Sequence, residues 1–228
     1  MQEELRLRED LIWVCRQLDR KGLIAATDGN VSCRLGEKSL LVTPAGTCKA
    51  QLQPGELLIT DLEGCVLQGP GLPSSEIRMH LLVYAKRADV QAAVHAHPPL
   101  LTAFTLAGLP FLAETLPEVW LNIGPVATAP YATPSTEEVP AAISRFIGSH
   151  QAVLLERHGS LTLGKDLREA YFRLEKLEHA AHVLLYARLL GQQMPAPLPP
   201  AELSKLSRML KTQDDSKPKA LSTKRKQS

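Results

Sequence analysis

The segment "AAVHAHPP", residues 92–99, sets His95 and His97 two positions apart, behind small apolar residues and ahead of two prolines. On an extended strand, side chains at i and i+2 share a face, so both imidazoles point the same way. Neutral imidazoles ligate divalent metals, and zinc takes nitrogen, sulfur and carboxylate donors, usually in a four-coordinate shell. His158 ends the apolar run "AVLLERH" and precedes Gly159, which permits close backbone approach. Glu76 follows "PSS" at the start of a predicted helix and offers a carboxylate. Three imidazoles and one carboxylate leave Zn²⁺ with residual positive charge, a Lewis acid for two vicinal oxygens. For an H-x-H pair the plainer alternative, two satisfied core histidines, stands about level with this one. His80, His150, His179 and His182 lack such a context and read as packing or surface groups.

Three polar turns form a second set: Gly29–Asn30, "TPAG" at Thr43–Gly46 and "PSS" at Pro73–Ser75. Backbone amides and helix N-termini favour anions. Taken singly, each is an ordinary turn. Beside a metal, the three together would suit a phosphorylated sugar.

The elements that must carry these residues follow from periodicity. Leu7, Leu11, Val14 and Leu18 mark a helix over 3–20, with Gly22 as its stop. "NVSCRL", "SLLVT" and "ELLIT" read as the strands of a β-meander. A helix over 75–87 buries Ile77, Leu81, Leu82 and Ala85, with Ser74 or Ser75 as its cap. "VQAAVHAH" is a strand, followed by an apolar helix near 100–107. Further on come a helix over 137–148 capped by Ser135 or Thr136, paired strands in "AVLLERHGSLTLG", and a long helix over 167–190. Short strands mixed with helices predict a mostly antiparallel sheet flanked by helices on both faces.

The chain has 228 residues, 44% of them hydrophobic, enough for one fairly large domain. No apolar run approaches the ~20 residues of a membrane helix, and the charged start "MQEELRLRED" has no export-signal core. A cytoplasmic protein is therefore expected. The four cysteines are scattered without a C-x-x-C pair, which fits reduced thiols rather than a disulfide framework. "PAPLPP" closes the domain at 194, and residues 195–228 read as a basic, flexible tail. That tail has eight basic against three acidic residues, a charge of +5, leaving −3 for the body. An acidic body does not point to nucleic acid.

In this order and at these intervals, "TDGNVS", "TPAG", "LPSSEIRMH", "VHAHPP", "APYAT" and "ERHG" resemble the class II aldolase/adducin N-terminal family. The resemblance covers roughly residues 5–192 and leans to L-fuculose-1-phosphate aldolase-like enzymes. It implies a three-layer α/β/α sandwich around a mainly antiparallel sheet, assembled as a homotetramer with interfacial active sites. It further implies one Zn²⁺ per subunit held by His95, His97 and His158, with Glu76 as acid/base and metal ligand. Gly29, Asn30, Ala45, Gly46, Ser74 and Ser75 would take the substrate phosphate. The implied reaction is retro-aldol cleavage of a small phosphorylated ketose, through an enediolate, to dihydroxyacetone phosphate and an aldehyde. Glu rather than Asp at position 76 separates the chain from the related 4-epimerases. The aldolase pattern also has a tyrosine before "APYAT"; here "AETLPEVWLNIGP" has none, leaving Glu114 or Glu118, with Glu118 favoured, as proton donor. Decarboxylation of a phosphorylated oxo-acid, 4-epimerisation and a non-catalytic adducin-like module are the alternatives.

Overall fold

The computed structural model describes residues 2–191 and 193–215. The meander forms as expected from β1 (Asn30–Leu35), β2 (Ser39–Val42) and β3 (Leu58–Asp61), extended by a short edge strand β4 (Val66–Gln68). Preceding it is α1 (Gln2–Arg20); after it come α2 (Ile77–Lys86), β5 (Ala92–Ala96), α3 (Pro99–Leu106) and the short α4 (Pro117–Asn122). The second half supplies β6 (Ala127–Ala129), α5 (Glu138–Ile147), β7 (Ala152–Leu155), β8 (Gly159–Gly164) and α6 (Leu167–Gly191). The strands make one eight-stranded sheet in the order β4-β3-β2-β1-β5-β8-β7-β6. Its pairs are antiparallel except β6–β7, which is parallel and is joined through the crossover helix α5.

Strand alternation sorts the core into two faces. Val31, Cys33, Leu41, Val94 and Ala96 pack against Leu11, Val14 and Leu18 of α1 and Tyr171 and Leu174 of α6. On the other face Leu40, Val42, Ala93, Leu161 and Leu163 meet Met79 and Val83 of α2 and Ile143 and Ile147 of α5. Each fully buried leucine or isoleucine here contributes about 1.5–3 kcal/mol by leaving water. Helices thus cover both faces of a mainly antiparallel sheet, the three-layer architecture expected. All four cysteines are free thiols.

Of the details that differ from the sequence reading, three bear on the site and the tail. First, β5 stops at Ala96, so His97 lies just beyond the strand. Its N–H crosses to Leu23 O (2.9 Å), and Pro98 has no N–H with which to extend the ladder. Second, neither Ser74 nor Ser75 is the N-cap of α2; Glu76 is. The Ser74 hydroxyl accepts from Asn30 Nδ2 and from the Glu76 N–H, both at 3.3 Å, and Glu76 turns its carboxylate toward the histidines. Third, the supposed tail contains a helix, α7 (Pro200–Asp215), which packs on α4, with Trp120 Nε1–H donating to Ser207 Oγ (3.1 Å). Leu203, Leu206 and Ser207 are half-buried at helical spacing, a stripe that the basic charge count obscures. Residues 216–228 lie outside the described residues.

Candidate metal centre and substrate pocket

Three elements deliver the four candidate ligands. His95 stands on β5 opposite Asn30 of β1, and its Nδ1–H donates to Ser160 O of β8 (3.0 Å). That bond fixes the tautomer and leaves Nε2 without a proton. His97 directs Nδ1–H at Asp28 Oδ2 (3.3 Å), which frees its Nε2 likewise. The two bare Nε2 atoms then lie 3.0 Å apart, lone pair against lone pair. Glu76 places Oε2 3.2 Å from His95 Nε2 and Oε1 3.0 Å from His158 Nε2. Oε1 is buried, and among the described residues it has no polar partner besides that imidazole. All four ligand atoms lie within 4.8 Å of one another.

Acceptors do not gather at such distances without positive charge between them. Proximity of this kind is repulsive in a low-dielectric pocket and becomes attractive around a cation. The donor set, three imidazoles and a carboxylate, fits a divalent metal ion. Protonation tendencies agree. Burial would raise the Glu76 pKa, but positive charge on the His158 and His95 imidazoles, when they are protonated, outweighs it and holds the carboxyl far below its usual range; with the rings neutral, a bound cation takes that role. Burial and the neighbouring His95 and His158 push His97 down to about 4. At neutral pH the group therefore presents a carboxylate and a neutral imidazole, the forms that ligate metals.

Backbone geometry explains why glycines flank the cluster. A Cβ on Gly159 would run into Ala96 O and come within 2.9 Å of the His97 ring. Gly159 therefore lets β8 close against β5, rather than against a ligand as such. Gly29 has φ +72°, and a Cβ there would meet His95 O at 2.9 Å. Before His158, Arg157 holds φ +60°, an uncommon conformation for a side-chain-bearing residue, which tightens the β7–β8 turn. The buried Glu178 carboxylate of α6 accepts from the N–H groups of Leu100 and Leu101 (2.9 and 3.0 Å), seating α3 immediately after the His97–Pro98 corner.

Beside the cluster, the expected anion-binding turns converge only in part. Asn30 Nδ2 donates to Glu76 Oε2 (3.1 Å) as well as to Ser74. The Thr43–Gly46 turn joins the Pro73–Ser75 loop through the Ala45 N–H to Leu72 O bond (2.9 Å) and the Pro44–Pro73 bridge. Ser75 instead turns to Ser135 Oγ (2.6 Å). Glu118 is exposed in the first turn of α4, and Glu114 lies in a short 3-10 turn. Among the described residues, neither belongs to the group of side chains whose ligand atoms converge.

Sequence reasoning passed over two groups here. Asp28, within an unremarkable Asp-Gly turn, orients His97. Lys49 is only 2% exposed, and its Nζ donates to Thr27 O (2.8 Å) and Thr47 O (2.9 Å), stapling the two loops that flank the pocket. Burial pulls its pKa below the usual lysine value.

A three-layer domain with a His₃Glu cluster at one end of its sheet defines a known class. The chain belongs to the Class II Aldolase and Adducin N-terminal domain family, whose model matches residues 9–185. It is 34% identical over 211 residues to a 5-methylthioribulose-1-phosphate/5-deoxyribulose-1-phosphate aldolase of Rhodospirillum rubrum, covering 92% of this chain and 94% of that one. It is 31% identical over 185 residues to a 3-oxo-tetronate 4-phosphate decarboxylase of Escherichia coli strain K12, covering 79% and 87%. Among solved structures it superposes on YgbL of Klebsiella pneumoniae with a TM-score of 0.81 and 31% identity, covering 89% and 98%. That structure's own description leaves aldolase, epimerase and decarboxylase open. No helix among the described residues is long and apolar enough to cross a membrane.

Proposed function

We propose that the protein is a zinc-dependent aldolase that cleaves a small ketose phosphate to dihydroxyacetone phosphate and an aldehyde. The observation that carries this reading is the facing pair of bare imidazole nitrogens, His95 and His97, closed off by Glu76 and His158. A bound divalent ion supplies Lewis-acid polarisation of a substrate carbonyl. His95, held through Ser160, and His97, held through Asp28, keep their donor atoms aimed inward. Glu76 is the group placed to move a proton beside that carbonyl, and Asn30 Nδ2 steadies its Oε2. Asn30 and Ser74, with the turns at Gly29 and at Ala45–Gly46, present polar groups to a phosphate. Ser75 extends that surface.

Glu118 enters the reaction only from a neighbouring subunit, as in the homotetramer that the family resemblance implies. Sedimentation measures that assembly directly, and undiminished turnover by an intact Glu118→Gln assembly removes Glu118 as proton donor. Decarboxylation of a phosphorylated oxo-acid is the second reading, favoured by the decarboxylase relative and the missing tyrosine.

The deciding experiment pairs metal analysis with turnover on a panel of ketose 1-phosphates and oxo-acid phosphates. Release of dihydroxyacetone phosphate supports the aldolase, and CO₂ supports the decarboxylase. The Glu76→Gln variant is expected to keep its metal and lose turnover by roughly 10²–10⁴-fold. A near-normal rate would overturn the role given to Glu76.

A further inference from the structure

Two buried polar atoms behind the pocket, Asn30 Oδ1 and His80 Nε2, have no hydrogen-bond partner among the described residues. Both residues line one small cavity between β1, β2 and the start of α2, together with Ser32, Thr43 and Ser74. The orientation of each is determined by its other contacts. Asn30 Nδ2 donates to Glu76 Oε2, and a carboxylate only accepts, so Oδ1 must face away from the cluster. His80 is 1% exposed, and burial lowers its pKa to about 3, so the ring is neutral and carries one proton. Its Nδ1 lies 2.6 Å from Ser32 Oγ, which is in turn 2.8 Å from the Tyr84 hydroxyl. If Tyr84 O–H donates to Ser32 and Ser32 O–H to His80 Nδ1, every proton in the chain has an acceptor. That order leaves His80 as the Nε2–H tautomer, an unpartnered donor in a residue that shares the cavity with Asn30, whose Oδ1 is an unpartnered acceptor.

We propose that a structural water site in this cavity bridges His80 Nε2–H and Asn30 Oδ1, making Tyr84, Ser32 and His80 a positioning relay for Asn30. A buried water is held by two to four polar partners, and Thr43, whose hydroxyl accepts from the Val31 N–H (3.2 Å), lines the same cavity. The relay has one consequence for the site. Flipping the Asn30 amide would set Oδ1 against the Glu76 carboxylate and its NH₂ against the His80 side, so the water holds the amide nitrogen toward Glu76 and Ser74. His80 never touches substrate; it acts through Asn30.

The water itself stands independently of any activity, whereas its kinetic consequence rests on the proposed function. A high-resolution crystal structure of the metal-loaded protein should show one water within hydrogen-bond distance of both atoms. Clear density without it, or either atom bonded instead to a protein group, overturns the proposal. In full-length protein, His80→Leu is expected to lower kcat/KM by about tenfold, the worth of one hydrogen bond, at unchanged metal content. His80→Gln, which returns an N–H toward the cavity, should recover most of that loss. Equal losses in both variants, or none in either, overturn the relay. Should His80→Leu fail to fold, Tyr84→Phe reads the same chain from its far end and should cost a severalfold loss at full metal occupancy; an unchanged rate overturns the relay. If the wild-type protein turns over neither substrate class, the functional reading has failed, and the crystallographic water alone decides this one.

Discussion

At the cluster, His95 Nε2 lies 3.0 Å from His97 Nε2 and 3.2 Å from Glu76 Oε2. Behind it, on the same side of the sheet, buried His80 finds a hydroxyl for Nδ1 and sits in an uncharged hydrogen-bond chain through Ser32 to Tyr84. His95 and His80 themselves hardly differ in residue type or burial. What differs is the neighbours: a hydroxyl donor meets one imidazole, and acceptors converge on the others. An acceptor-rich cluster needs a cation; a donor-to-acceptor chain is complete when neutral. The number of histidines in a region is therefore a weaker guide to metal binding than the direction of the protons around them.

The contrast can be broken most severely at the cluster. His158→Ala removes one of four ligands, and bound metal should fall below about a tenth of the wild-type occupancy by elemental analysis. Full occupancy would remove His158 from the ligand set. Next in size is Lys49→Met, which leaves Thr27 O and Thr47 O without their donor. A loss of about 1–3 kcal/mol in urea unfolding is expected, with a raised KM for phosphorylated substrate. Asp28→Asn keeps an acceptor for His97 but removes its charge; metal affinity should drop by up to ~10-fold, since Asp28 is half exposed.

The smallest effect sharpens the comparison from the neutral side. His80 titrates near 6.5 when unfolded and near 3 when folded. Between those values the unfolded chain binds the extra proton, so stability declines as pH is lowered through this window. His80→Gln should flatten that decline, measured as unfolding midpoint against pH. It should not abolish it, because His97 is shifted in the same direction.

Much of the site was legible because its signals are local. "VHAHPP" announces a strand end with two same-side imidazoles, and "AVLLERHG" a buried strand leading to His158, although that strand stops at Leu155 and His158 stands in the turn beyond it. The mixing of short strands with helices announces a sheet covered on both faces. What escaped reading depends on distant approach. Asp28 looks like a turn former until His97 lies beside it. His80 occupies a helix position that suits packing, and nothing local says that Ser32 will face it across the sheet. Lys49 gives no sign of burial, because one of its two carbonyl partners, Thr27 O, arrives from a separate loop. The serine caps were misplaced because both hydroxyls are used by other loops, and α7 went unseen behind a surplus of lysine and arginine.

Glu76 and His158 come from opposite ends of a long stretch of chain, and one ion between them would tie the entrance of α2 to the β7–β8 hairpin. Such a tie exists only when the whole sheet is assembled, so occupancy and global folding are thermodynamically linked. A free-metal level a hundred times the dissociation constant would add about 2.7 kcal/mol to stability. The melting temperature should thus climb with the logarithm of metal concentration, making a simple thermal scan a ranking of cations by affinity.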